Sequence, residues 1–452
     1  TRSLLLGILL LTANTNQIQA SHILGLEFWY ECIGSCSVRV HHRAYKDCSG
    51  STFPIFNNGI VWQPTQQGCP VPTAIGPSSP ISQMEITPVC PVVVTYCQGQ
   101  GTINGIRLEE RYIDYDYCSL PANCITLLTF SSCCRNPAIT SGGGNQAYYV
   151  GSQTLNPSIT PCNNSPVYSS PYNDYHCQGQ PIQMDLGAHD PDGDSLAYAL
   201  GPCYIAQNQT ANYNIGFSPS QPLGPSWNIS LDSKTGNFTA TPQPGSIQVA
   251  LFCVYIEEWR NNALINTHVR DIQIVIVPCP NNTVPAFNTY QNISGGSLVA
   301  PDYFQICPGD TLGFDISITD PDPNQNRKLY WDSNLPSGSF YQVGNPTVQD
   351  TITGTSPNAH FEFSPSGNGI YSILVSAEDD ACPVLGRTAK LIVIQAIAPP
   401  LGVVNITSCN TATFQSTPCG GTPPYTYSWS GAGGFSGTNA TVSHTYPGPG
   451  SY

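Results

Sequence analysis

Cys177-Gln178-Gly179-Gln180 leads, thirteen residues after its cysteine, into Asp190-Pro191-Asp192-Gly193-Asp194-Ser195-Leu196. The pattern returns about 130 residues later, where Cys307 is followed at the same distance by Asp320-Pro321-Asp322. An aromatic follows each acidic stretch, Tyr198 in one and Tyr330 in the other. Phe238-Thr239-Ala240-Thr241-Pro242 is matched by Phe361-Glu362-Phe363-Ser364-Pro365, and the acid pairs Glu257-Glu258 and Asp379-Asp380 close a strand-like run in each copy. A repeat of this length is the size of one β-sandwich of about 100 residues. The two copies are therefore expected at 171–280 and 281–398.

Outward from the repeat, the remaining sequence carries the same β signal. Val38-Arg39-Val40, Ile272-Gln273-Ile274-Val275-Ile276-Val277 and Leu391-Ile392-Val393-Ile394 are period-2 or short apolar runs bounded by Pro, Gly and Asn. No stretch sustains a 3.6-residue apolar period. The expected fold class is all-β: tandem immunoglobulin-like sandwiches behind a disulfide-rich β-domain. That first domain is expected at 21–170, which holds eleven of the 19 cysteines. Ala396-Ile397-Ala398-Pro399-Pro400 reads as a linker into a truncated third unit at 399–452.

Arg2, the apolar run Leu4–Leu11 and the small Ala20 read as a secretory signal peptide over 1–20. Thr1 is not an initiator Met and Tyr452 falls inside a strand-like run, so the chain reads as part of a longer protein. Export makes the cysteines disulfides rather than metal or catalytic thiols. Cys307 and Cys382 are the only cysteines within 281–398 and are expected to pair. Cys203–Cys253 and Cys409–Cys419 are the local choices elsewhere.

Charge narrows the function. Charged residues make up 9% of the chain and the formal net charge is -14. Nucleic acid and anionic membrane surfaces are excluded, because nothing here neutralises a run of phosphates. No run after the leader approaches the length of a membrane span. G-x-S-x-G, H-E-x-x-H and a Gly-rich phosphate loop are absent from the sequence. No catalytic residue is assigned.

Asp190, Asp192 and Asp194 put three carboxylates on one short loop that Pro191 stiffens and Gly193 turns. Ca²⁺ takes six to eight oxygen ligands from such loops, so these three are expected to converge on one ion, with the further ligands drawn from Glu257, Glu258 or Asp271. Asp320 and Asp322 form the weaker second copy, because Pro323 and Asn324 replace Gly193 and Asp194. The plain alternative is a solvated turn.

Ser21-His22-Ile23-Leu24-Gly25, Tyr45-Lys46-Asp47-Cys48, Cys133-Cys134-Arg135-Asn136-Pro137, Glu257-Glu258-Trp259-Arg260-Asn261 and Arg270-Asp271 together resemble the N-terminal region of large secreted Bacteroidetes proteins. The resemblance implies PKD or immunoglobulin-like repeats and a gliding-motility-type sorting domain for type IX secretion. Gly420-Gly421-Thr422-Pro423-Pro424-Tyr425 and Gly448-Pro449-Gly450-Ser451-Tyr452 look like parts of a PKD domain, and the Asp190–Asp194 loop looks like the calcium loop of cadherin-like domains. The expected protein is a secreted or cell-surface, adhesin-like scaffold, stiffened by Ca²⁺. Its expected partners are surface glycans, proteins or further copies of itself. The alternative is a carbohydrate-binding accessory region of a secreted enzyme, with Tyr168, Tyr172, Tyr175 and Trp227 as a sugar platform.

Overall fold

The computed structural model describes residues 23–49, 60–74, 78–101, 103–132, 134–155, 161–169, 175–241, 248–332, 335, 338–397, 403–408, 410–416 and 426–448. The leader at 1–20 and the pairing of Cys409 with Cys419 lie outside the described residues.

The chain is all-β, with two 3-10 turns as its helical elements among the described residues. In the first repeat, strands Ser195–Leu200, Gln248–Arg260 and Ala263–Val277 form one antiparallel layer, joined by Tyr175–Cys177 running parallel to the last. Strands Ile182–Asp185, Asn237–Thr241 and Asn228–Leu231 form the facing layer. The second repeat repeats this arrangement. Arg327–Trp331, Gly369–Glu378 and Arg387–Ala396 make one layer, with Tyr303–Ile306 parallel to the last strand. Leu312–Thr319, Asn358–Phe363 and Gly338–Gln342 make the other. This strand order is the immunoglobulin-type sandwich. Cys177 ends the parallel strand in one copy and Cys307 directly follows it in the other, so the repeated cysteines hold equivalent places.

The N-terminal segment is not a separate domain. Strand Ile23–Gly34 pairs antiparallel with Ala263–Val277, with Leu26 opposite Asp271. Ser37–Asp47 and Ile106–Asp116 extend the same layer into a nine-stranded sheet. The expected division at residue 170 therefore cuts through a shared sheet. A five-stranded sheet containing Ile60–Pro64, Thr126–Ser132 and Tyr148–Leu155 covers the opposite face from the first repeat's small sheet. One core gathers Phe28, Tyr30, Trp62, Phe130 and Tyr148. The other gathers Trp29, Tyr45, Phe238, Phe252 and Ile274. A sheet covered on both faces needs strands apolar on both sides, and Ala263–Val277 is buried almost continuously along its second half.

The charged groups caught in that double burial are paired with one another. Arg270 reaches Glu27 at 2.5 Å, and Tyr45 donates to the same carboxylate at 2.7 Å. Arg135 holds Asp271 through two bonds of 2.8 and 2.6 Å. The motif residues Arg135, Arg270 and Asp271 are thus ties between the N-terminal segment and the first sandwich.

Every cysteine among the described residues is disulfide-bonded. The expected Cys307–Cys382 bridge does not form. Cys382 is bonded to Cys90, 292 residues away in sequence. Around that bond, Val89 bridges Val384, Cys90 N–H donates to Pro383, and Leu385 N–H donates to Pro88. A second set of contacts joins the two sandwiches elsewhere. The Asn237 side chain accepts from Leu391 N–H at 2.7 Å and donates to Leu391 C=O at 2.8 Å, as a strand neighbour would. Val284 N–H donates to the Gln180 side chain at 2.6 Å. The smaller C-terminal unit pairs Val403–Ser408, Thr411–Gln415 and Thr441–Thr445, with Trp429 against Phe414 and Phe435.

Candidate metal centre

The Asp190–Asp194 loop joins strand Ala188–His189 to Ser195–Leu200 at one end of the first sandwich. Its shape is set by its first residue. Asp190 Oδ1 accepts the N–H groups of Asp192 at 2.9 Å and Asp194 at 3.0 Å. Gly193 takes the left-handed φ of 80° that closes the turn, and its N–H donates to Asp190 C=O.

The three aspartates do not converge on one point. Asp192 faces outward and is held by Asn164, through N–H at 2.9 Å and Nδ2 at 2.6 Å, and by Arg260 at 3.0 Å. Asp194 turns inward and takes the Arg260 guanidinium at 2.8 and 2.5 Å. Arg260 also donates to Asn163 Oδ1 at 2.6 Å. Strand alternation turns Glu257 away, where its carboxylate accepts from Trp259 Nε1. Glu258 takes the inward place instead. It is fully buried, and accepts from Asn163 Nδ2 at 2.7 Å while facing His268 Nε2 at 3.1 Å.

Carboxylate oxygens of Asp190, Asp194 and Glu258 lie within 4.8 Å of one another. Asp190 is 5% exposed, and its Oδ2 has no hydrogen-bond partner. Burial, with the neighbouring carboxylates adding, pushes the Asp190 carboxyl up to about 8. Burial pushes Glu258 up to about 8 as well, with Asp194 adding. Strand alternation places Glu258 on the buried face of Val254 and Ile256 and Glu257 on the other, and the register shift at Glu258/Trp259 lies beyond both. Asn163 carries no sequence signal for this role.

The second copy keeps the turn and loses the opening. Asp320 Oδ1 accepts Asp322 N–H at 2.9 Å, as in the first loop. The buried Arg327 then pairs with Asp320 Oδ2 at 3.2 Å and donates to the carbonyls of Gln325 and Thr355. Asp322 accepts Thr283 N–H at 2.5 Å. Glu378 is met by Lys328 and Arg387, and Asp379 by Ala381 N–H, Gly386 N–H and Asn282. At the expected second ion site Arg327 takes the Asp320 carboxylate, while Thr283 N–H takes that of Asp322.

The expected disulfide sites resolve separately. Cys203 is bonded to Cys253, with Cα atoms 5.3 Å apart. Cys307 is bonded, but not to Cys382. Of the expected sugar platform, Tyr168 and Trp227 are core residues of the first sandwich, and Tyr175 donates to Asn104 C=O at 2.5 Å. Tyr172 lies outside the described residues. The three described rings form no exposed row. A cleft of about 700 Å³ separates the two sandwiches beside the loop, lined in part by Arg43, His189, Asp192, Trp331 and Tyr371.

No family model matches the chain, and no curated protein matches it. Among solved structures, it is similar to the N-terminal four immunoglobulin domains of Dscam1 isoform 6.44, at 10% identity, 93% of this chain, 92% of that one and a TM-score of 0.21. Titin tandem domains A164-A165 match at 9% identity over 50% of this chain and 92% of that one, with a TM-score of 0.15. An endo-fucoidan hydrolase of glycoside hydrolase family 107 matches at 11% identity over 76% of this chain and 42% of that one, with a TM-score of 0.17. Scores this low carry no argument, and the immunoglobulin-type assignment rests on strand order alone.

Proposed function

We propose that this chain is a non-catalytic extracellular module, a stack of β-sandwiches whose role is structural or adhesive. The observation that carries this reading is the Cys90–Cys382 bond, which fixes the second sandwich to the N-terminal segment. A binding scaffold gains from such a bond because parts held in place lose less freedom when a partner binds. Disulfides throughout the described residues favour an oxidising compartment, and so secretion or surface display. No described helix is long and apolar enough to cross a membrane. The motif resemblance supports an origin among large type IX-secreted Bacteroidetes proteins with PKD-type repeats. A calcium ion at the Asp190–Asp194 loop would add stiffness beside the junction. The partners are surface glycans, proteins or further copies of the chain.

Small-angle scattering of the full chain and of a Cys90→Ser/Cys382→Ser variant tests the reading. The parent is expected to fit one fixed arrangement of its two sandwiches, and the variant a wider distribution. A parent that already scatters as independently moving sandwiches would overturn it.

A further inference from the structure

We infer that Asp190, Asp194 and Glu258 hold one divalent cation of the calcium class, and that the second repeat holds none. The inference rests on the stiffened-module reading above and names the atoms that would do the stiffening. Three observations carry it. First, three buried carboxylates, two on the loop and one near the end of strand Gln248–Arg260, come within 4.8 Å of one another. Second, Asp190 is 95% buried by its 5% exposure, and its Oδ2 meets no donor. A buried carboxylate oxygen without a partner is costly, and a cation removes that cost. Third, the second repeat provides an internal comparison. There the same Asp-Pro-Asp turn has Arg327 on the outer oxygen of Asp320, and the acids at the strand end are fully met by donors.

Arg260 does not do the same for the first repeat. It bonds Asp192, Asp194 and Asn163 and leaves Asp190 Oδ2 without a donor. The donors are all oxygen, which selects a hard cation over zinc. Ca²⁺ tolerates an irregular donor set, whereas Mg²⁺ demands near-octahedral geometry, so calcium is favoured. Asn163 and His268 grip Glu258 from behind and orient it. Asp192 is left out because its carboxylate faces outward to Asn164 and Arg260 and does not join the three that meet within 4.8 Å.

Titration calorimetry of the chelator-treated full chain with CaCl₂ and with MgCl₂ tests this. One equivalent of Ca²⁺ is expected, bound more tightly than Mg²⁺. Asp190→Asn and Glu258→Gln should each weaken binding at least about tenfold, while Asp192→Asn and Asp320→Asn leave it within about threefold. The stoichiometry of the parent needs no variant to fold. No binding, two equivalents, or loss of binding in Asp192→Asn would each overturn the assignment. None of these results would alter the Cys90–Cys382 linkage, so failure of the ion site is separable from failure of the module reading.

Discussion

Cys90, after the edge strand Ser79–Glu85, is covalently bonded to Cys382, in the connection between the last two strands of the second sandwich. The bond makes the junction between the two halves part of the fold. The flanking backbone bonds, from Leu385 N–H to Pro88 C=O and from Cys90 N–H to Pro383 C=O, show that the two segments are also in register.

Removing this bond is expected to lower stability. A long closed loop constrains the unfolded chain strongly, and a typical disulfide contributes about 2–4 kcal/mol. Cys90→Ser/Cys382→Ser should melt at a lower temperature than the parent, and limited proteolysis should begin near residues 281–285. An unchanged melt would show that the non-covalent contacts at Asn237–Leu391 and Gln180–Val284 suffice.

The Arg270–Glu27 pair makes a separate prediction. Both side chains are fully buried. Glu27→Ala leaves a buried guanidinium without its anion and should cost about 3–5 kcal/mol in urea unfolding. A double Glu27→Leu/Arg270→Met variant should recover most of that loss. A single substitution with no effect would mean that the N-terminal strand is not seated on Ala263–Val277.

Acid should weaken the fold through His42 and His176. Burial lowers His42 to about 3, with Arg111 and His41 adding, and lowers His176 to about 4. Both are depressed below the ordinary value of about 6.5, so each group's contribution is complete above pH 6.5. It is lost as pH falls toward the folded values, because the unfolded chain takes up the proton first. At pH 5 the loss is about 2 kcal/mol per histidine. Urea midpoints at pH 7 and pH 5 should differ less in a His176→Gln variant than in the parent. An equal difference would contradict the assignment.

The repeat, the strand class and the equivalence of Cys177 and Cys307 were legible because they depend on local alternation and spacing. The joining of residues 23–116 to the first sandwich was not. Strand Ile23–Gly34 alternates correctly for any sheet, and its partner Asp271 is distant in sequence. The Cys307–Cys382 expectation failed for the same reason. It counted cysteines within one presumed domain, while the true partner, Cys90, came from another segment. At the candidate site, the Asp190 turn follows from Asp-Pro-Asp-Gly chemistry, and the turn recurs at Asp320. Whether the carboxylates then meet an arginine or one another depends on Arg260 and Arg327, whose reach only the packed structure fixes. Glu258 shares its face with Val254 and Ile256 by plain strand alternation, so its inward place was legible in the run itself.

The most direct test of the stapled module is peptide mapping of the native, non-reduced protein with free thiols blocked. A cross-linked pair of peptides containing Cys90 and Cys382 is the expected result, separating only after reduction. A peptide pair joining Cys307 to Cys382, or a free thiol at Cys90, would contradict it.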